Sequence, residues 1–205
     1  MKTVELFSGT KSFSKVARSF GHSIFTVDNE VSLNPDWCGD IREFICDIPA
    51  EIIWASPPCQ GFSVAVIGRN WNHDRTPKTD SARLAMELAQ RTLLLIKSVR
   101  PKYWFIENPR GMLRKMPWME EFLVEMGGVR HTVTYCQYGD TRQKPTDIWT
   151  NCLQWKPKPA CKPGSPCHEA APRGSRTGTQ GIKGAKDRGR IPAELFEEIF
   201  RSIGD

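Results

Sequence analysis

Four short apolar runs, each stopping at polar or turn-forming residues, constrain the fold of this 205-residue chain more than any other feature. Thr3-Val4-Glu5-Leu6-Phe7 stops at Ser8-Gly9, and Ser23-Ile24-Phe25-Thr26-Val27 at Asp28. Ile52-Ile53-Trp54-Ala55 stops at Pro57-Pro58, and Tyr103-Trp104-Phe105-Ile106 at Glu107-Asn108-Pro109. Their length and their β-branched and aromatic content are those of buried strands. Between the first two, Phe13, Val16, Ala17 and Phe20 recur at helical spacing before Gly21. Residues 81–99 read as a helix with Leu84, Leu88, Leu95 and Val99 inward. A helix over 114–126, strands near 131–136 and 147–150, and a helix over 192–203 follow. The last opens on Pro192, with Leu195, Ile199 and Ile203 on one face. Strands alternating with helices predict an α/β open sheet. Such sheets bind ligands beyond the carboxyl ends of their strands, where Asp28, Cys59 and Glu107 fall.

The length suits one ordinary domain, and 39% apolar residues can build its core. No apolar run approaches the ~18 residues of a membrane span. Glu5 follows Lys2 too early for a secretory leader, so the seven cysteines are expected in a reducing compartment, as free, catalytic or metal-bound thiols. The net charge of +6 is unevenly placed. Segment 156–190 holds nine basic and two acidic residues, a charge of +7, while the rest of the chain is close to −1. One cationic segment on a near-neutral body points to a polyanion such as nucleic acid, although a solvated surface loop fits the same charge. Eleven of the 35 residues in that segment are Gly or Pro, so it has no core of its own.

Several strand ends carry groups suited to chemistry. Phe7-Ser8-Gly9-Thr10-Lys11 is a strand–turn–helix that can cradle a nucleotide-like ligand, though it lacks the G-x-G-x-x-G spacing and an ordinary turn remains open. Asp28 is placed to accept hydrogen bonds from ribose hydroxyls, and Asp40-Ile41 offers a second acid beside an apolar residue; both acids fit solvated turns as well. Ser56-Pro57-Pro58-Cys59-Gln60-Gly61-Phe62-Ser63 is more specific. Two prolines hold Cys59 on a stiff turn, as a nucleophile that attacks in one orientation requires. Glu107 ends another strand and can lie at the same edge.

Phe7-Ser8-Gly9, then Pro57-Pro58-Cys59-Gln60-Gly61-Phe62-Ser63, then Phe105-Ile106-Glu107-Asn108-Pro109-Arg110-Gly111 together resemble the DNA cytosine-5 methyltransferases over roughly residues 3–151. The small size is that of a compact phage- or prophage-like member. The resemblance implies a Rossmann-like, S-adenosylmethionine-dependent methyltransferase sheet with a small basic Cys/His insert. By that similarity Cys59 is the nucleophile that adds to carbon 6 of cytosine, and Glu107 holds or protonates ring nitrogen 3. Phe7, Gly9, Asp28, Asp40, Ile41 and Pro57 fall where the family binds the cofactor. Residues 64–79 match the loop that closes over the target base, which must leave the duplex stack to be reached. The resemblance also implies double-stranded DNA as partner, with no membrane and no obligate protein partner, in the cytoplasm of a bacterial host or phage-infected cell.

The chain departs from the family's pattern in three places. Pro145 and Asp147 stand where the Gln-x-Arg-x-Arg strand has arginines, so Arg142 or Lys144 is expected to serve the base instead. Segment 152–190 replaces the target recognition domain between a catalytic domain over 1–151 and a C-terminal helix over 191–205 that packs back on it. The segment's Arg173, Arg176, Lys183 and Arg188 are expected phosphate contacts. The closing helix lacks the family's Gly-Asn-Ser. These differences leave RNA or nucleotide cytosine as an alternative substrate, and a catalytically silent nucleic-acid binder as an alternative role. Finally, Cys152, Cys161, Cys167 and His168 are candidate zinc ligands that would give the insert a fixed shape, against free thiols in a loop.

Overall fold

The computed structural model describes residues 1–169 and 184–204, leaving aside the side chains of Ala185 and Lys186. Its strands are β1 (Lys2–Leu6), β2 (Ser23–Asp28), β3 (Trp37–Cys38), β4 (Ile52–Ala55), β5 (Tyr103–Pro109), β6 (Val129–Thr134) and β7 (Pro145–Thr150). They form one seven-stranded sheet in the order β3-β2-β1-β4-β5-β7-β6. Strands β1 to β5 pair in parallel, whereas β7 runs antiparallel to both β5 and β6. The chain leaves β1 first toward β2 and later, through β4, toward the opposite side. This reversal opens a crevice at the carboxyl ends of the central strands.

Six helices accompany the sheet among the described residues: α1 (Ser12–Ser19), α2 (Ile67–Asn70), α3 (Asp80–Val99), α4 (Pro117–Glu125), α5 (Ala185–Gly189) and α6 (Ala193–Ile203). Alternation along β4 divides the core between the two sheet faces. Ile53 and Ala55 pack with Ala82, Ala85, Ile96 and Phe122 of α3 and α4. Ile52 and Trp54 pack with Phe13 of α1 and with Phe196 and Phe200 of α6. Phe13 stacks on Trp54 at 5.1 Å, and Phe196 meets Trp54 edge-on at 4.9 Å. Full burial of each such ring is worth roughly 1.5–3 kcal/mol, so α6 is held by the body of the fold. Cys152 and Trp155 are fully buried in the same cluster, which draws the first residues after β7 into the body.

Three local expectations change. The helix expected over 114–126 is a 3₁₀ turn at Leu113–Lys115 followed by α4, because Pro117 lacks an N–H and starts a helix rather than continuing one. The strand expected near 131–136 ends at Thr134, where the chain folds into a 3₁₀ turn at Tyr135–Tyr138. Helix α3 turns Ala82, Ala85 and Ala89 inward, and Leu84 is 44% exposed. The small face is needed because α3 lies against the Cys59 loop. A Cβ added at Gly61 would stand 2.4 Å from the Cβ of Ala85.

Candidate active site

The turn after β1 forms the floor of the crevice. Phe7, Gly9 and Lys11 all take left-handed backbone conformations, with φ of 58°, 45° and 56°. For Phe7 and Lys11 this conformation is strained and must be held by its surroundings. Two contacts hold it. The Gly9 N–H donates to Asp28 Oδ2 at 2.7 Å, joining the ends of β1 and β2. Beneath the turn, the Ser14 amide (3.1 Å) and hydroxyl both donate to Glu5 Oε2. Burial lifts the Glu5 carboxyl to about 7.

Phe7, Asp28, Asp40, Ile41 and Pro58 line a cleft closed on its far side by Leu84 and Leu88. Of these two leucines, Leu84 is exposed and Leu88 is half-buried at the edge of the core. Their apolar wall faces two carboxylates, a chemistry that fits an adenosine: a planar apolar base, and hydroxyls that donate to acids. Asp28 already accepts from Gly9 and, through Oδ1, from the Glu30 N–H at 3.0 Å. Each carboxylate oxygen has two lone pairs, so a further donor can be met. Asp40 is forked by the Arg42 guanidinium, which holds its carboxyl below the usual range. Pro57 is buried and its carbonyl accepts from Asn108 Nδ2 at 2.9 Å, so the cleft is met by Pro58 rather than Pro57.

Cys59 lies half-buried beyond β4 in a tightly pinned loop. Trp71 Nε1 donates to the Gly61 carbonyl at 2.7 Å, and the Met112 N–H donates to the Phe62 carbonyl at 2.7 Å. Ser63 bridges to Gly111, where an added Cβ would stand 2.2 Å from the Phe62 carbonyl oxygen. Residues 64–79, the expected closing loop, fold as a 3₁₀ turn, α2 and a Trp71–Pro77 bridge, anchored by the stack of Trp71 on Phe62 at 5.5 Å.

Glu107 is 5% exposed, at the end of β5. Burial raises its carboxyl above the usual range. The charge of Lys144 and hydrogen bonds from Tyr135 and Ser56 pull it partly back, and Asp147 adds to the rise. The Tyr135 hydroxyl donates to Glu107 Oε1 at 2.9 Å. Burial and the Glu107 charge raise the Cys59 thiol, opposed by Lys144 and Arg188. A thiol and a carboxyl, both raised by burial, therefore lie at the ends of β4 and β5 within the influence of two cations. The ammonium of Lys144 stands 4.8 Å from the Tyr135 ring centre and donates to the Arg188 carbonyl at 3.0 Å.

Other expected residues are placed differently. Arg142 is 4% exposed and faces inward. Its Nε and Nη2 fork Asp140, Nη1 donates to the carbonyls of Asp187 and Arg188, and Nη2 donates to that of Arg190. All five N–H donors are thus used inside the protein, which corrects the expectation that Arg142 contacts nucleic acid. Asp147, where the family pattern has an arginine, is fully buried and accepts both Nε (2.8 Å) and Nη2 (2.6 Å) of Arg114. Arg173, Arg176 and Lys183 lie outside the described residues. Cys161, Cys167 and His168 come together, but Cys152 does not join them. Its thiol lies in the core 3.9 Å from the Ser202 hydroxyl, and Cys136 takes the fourth place in the cluster. Among the described residues no helix is long and apolar enough to cross a membrane.

Sequence reasoning missed Tyr135, Glu5 and Cys136. The first two belong to apolar-looking strand ends, and the third lies outside the insert where the ligand spacing was sought.

Comparison with known proteins gives three findings. The family profile described as C-5 cytosine-specific DNA methylase matches residues 1–127. A protein of Frog virus 3 (isolate Goorha) named "Probable DNA (cytosine-5)-methyltransferase" is 31% identical over 98% of this chain and 99% of its own length. Among solved structures, an E. coli protein titled "putative DNA modification methyltransferase encoded within prophage Cp" aligns with a TM-score of 0.56 at 16% identity, over 77% of this chain and 49% of its own. Spodoptera frugiperda DNMT2 aligns with a TM-score of 0.52 at 19% identity, over 77% and 52%. The chain thus spans about half the length of these solved structures, and at such identities the likeness is one of fold.

Proposed function

The chain belongs to the C-5 cytosine-specific DNA methylase family, which methylates carbon 5 of cytosine in DNA, and from that premise we propose that Cys59 is its nucleophile and Glu107 its acid. The observation that carries this reading is the placement of the Cys59 thiol near a buried carboxyl whose hold on its proton burial strengthens, beside Lys144.

The Glu107 proton is presented to ring nitrogen 3 of the cytosine. Withdrawal of electrons through that bond makes carbon 6 electrophilic, and the Cys59 sulfur forms its bond there as the thiol gives up its proton. Burial raises the carboxyl, so Glu107 holds its proton to higher pH than an ordinary glutamate and is better suited to this donation. Tyr135 holds Glu107 in place through Oε1. S-adenosylmethionine, when bound, supplies the electrophilic methyl group for carbon 5. Phe7, Asp28, Asp40, Ile41, Leu84 and Leu88 would hold it in the cleft at the ends of β1 and β2, with Gly9 fixing Asp28 and Pro58 bordering the cleft. Loss of the carbon 5 proton to solvent then forms the carbon 5–carbon 6 double bond and expels the sulfur as thiolate, which regains a proton from solvent, while ring nitrogen 3 returns its proton to Glu107. Lys144 and Arg188, the cations whose charges act on Cys59, are in this reading the groups that meet a flipped nucleotide and its phosphate. Residues 1–151 form the catalytic body in this reading, and the basic segment 152–190 grips the duplex.

The test uses DNA containing 5-fluorocytosine with labelled cofactor, since fluorine at carbon 5 prevents release of the sulfur. We expect a covalent complex with wild-type protein and none with Cys59→Ala, which should still bind the cofactor. Full methyl transfer by Cys59→Ala refutes the nucleophile assignment. An adduct on RNA but not on DNA refutes the substrate.

A further inference from the structure

We propose that Cys136, Cys161, Cys167 and His168 hold one structural zinc ion that fastens the basic insert to the turn behind the catalytic acid. The four candidate ligand atoms all lie within 4.8 Å of one another. Zinc held tetrahedrally at about 2.3 Å from sulfur and about 2.0–2.1 Å from nitrogen requires sulfur–sulfur edges of about 3.8 Å and sulfur–nitrogen edges of about 3.5 Å. Cys136 and Cys167 stand 3.7 Å apart, and Nδ1 of His168 lies 3.6 Å from both Cys161 and Cys167. Three edges therefore match a zinc tetrahedron. The Cys136–Cys161 separation of 3.1 Å is shorter than such an edge but far longer than the ~2.05 Å of a disulfide.

The insert also has need of such an ion. No residue of 156–169 is buried, so apolar packing does not set its shape. Its attachments to the body are polar contacts of the chain's surface, among them the Lys158 N–H to the Tyr138 hydroxyl, the Cys161 N–H to Thr134 Oγ1 and the Glu169 N–H to the Thr141 carbonyl, each 2.9 Å. Four metal bonds would convert that loose seam into a fixed one, since the binding free energy of a structural zinc is available as folding free energy. Three ligands come from the insert and one from the Tyr135–Tyr138 turn. Cys136 directly follows Tyr135, whose hydroxyl meets Glu107. The ion would thus fix the turn that positions the acid while taking no part in the reaction, so the inference stands independently of the assignment of Cys59.

The experiment is metal analysis of the full chain purified in reductant without chelator. About one zinc per chain is expected in wild type and in Cys152→Ser. Retention is expected to fall at least tenfold in Cys136→Ser and in His168→Ala. His168→Cys, which offers a fourth thiolate, should retain the metal. Because a ligand variant can lose zinc merely by misfolding, wild-type protein stripped of zinc is also titrated with cobalt(II). The absorption of tetrahedral, thiolate-bound cobalt should appear at one equivalent and be displaced by zinc. Substoichiometric zinc with no such cobalt spectrum overturns the proposal. So does loss of zinc in Cys152→Ser as complete as in Cys136→Ser, or a wild-type mass two hydrogens lighter with no bound metal, which would mark a disulfide.

Discussion

Replacing Glu5 with glutamine should make the protein more stable at alkaline pH and remove one source of its pH dependence. Glu5 is 4% exposed within β1, and its Oε2 accepts both bonds from Ser14. Burial lifts its carboxyl from the ordinary 4.5 to about 7, with the Ser14 hydrogen bonds and the Lys11 charge only partly opposing the rise. The folded chain therefore holds this proton more tightly than the unfolded chain. The resulting stabilisation is complete below the unfolded value and is lost as pH rises through the folded one. At about 1.36 kcal/mol per pH unit, the rise from 4.5 to about 7 corresponds to about 3 kcal/mol. Glutamine is neutral throughout and presents an oxygen to the same Ser14 donors. Urea unfolding of both proteins at about pH 4.5 and about pH 8.5 gives the comparison, since groups that titrate alike in the two cancel. The stability of Glu5→Gln relative to wild type should rise by about 3 kcal/mol between those conditions. A difference that stays constant within about 0.5 kcal/mol, or that moves in favour of wild type, refutes the reasoning.

Two further substitutions probe the site and its support. Tyr135→Phe removes one hydrogen bond to Glu107, worth about 1–3 kcal/mol, so kcat should fall roughly 5- to 150-fold. Because that bond favours the ionised carboxyl, its loss raises Glu107 further, and the alkaline limb of the kcat/KM profile should move to higher pH; movement to lower pH contradicts the assignment. Arg142→Met leaves Asp140 and the carbonyls of Asp187, Arg188 and Arg190 without their donor, and should cost about 3 kcal/mol in urea unfolding and speed protease cleavage near 187–190. Full stability with weakened DNA binding would instead make Arg142 a surface contact.

The sheet was legible because each central strand is a short, mostly apolar run flanked by turn formers, and the proposed catalytic pair because Cys59 and Glu107 follow or end two such runs. The cleft proposed for the cofactor was legible only in part. Periodicity placed Leu84 inward because it weighs side-chain size, whereas the close approach of α3 to Gly61 demands alanines at the contact and leaves the leucines to border the cleft. The lack of arginines at Pro145 and Asp147 assigned Arg142 to the base as a substitute, although Asp140 two residues away could already fork it. The metal cluster was half visible. Cys161, Cys167 and His168 are neighbours in sequence, but Cys136 is brought to them only by the return of the chain after β6, while Cys152 is drawn into the core beside α6.

The turn at Thr141–Arg142 carries one more consequence. The Thr141 carbonyl accepts the Glu169 N–H at 2.9 Å, and Arg142 grasps the backbone of Asp187, Arg188 and Arg190. The chain thus leaves for Arg173, Arg176 and Lys183 and comes back at one neck. Closing a loop grows costly only slowly with length, about 0.6 kcal/mol for each doubling. Residues added or removed between 170 and 183 should therefore leave the rest of the chain nearly as stable as before.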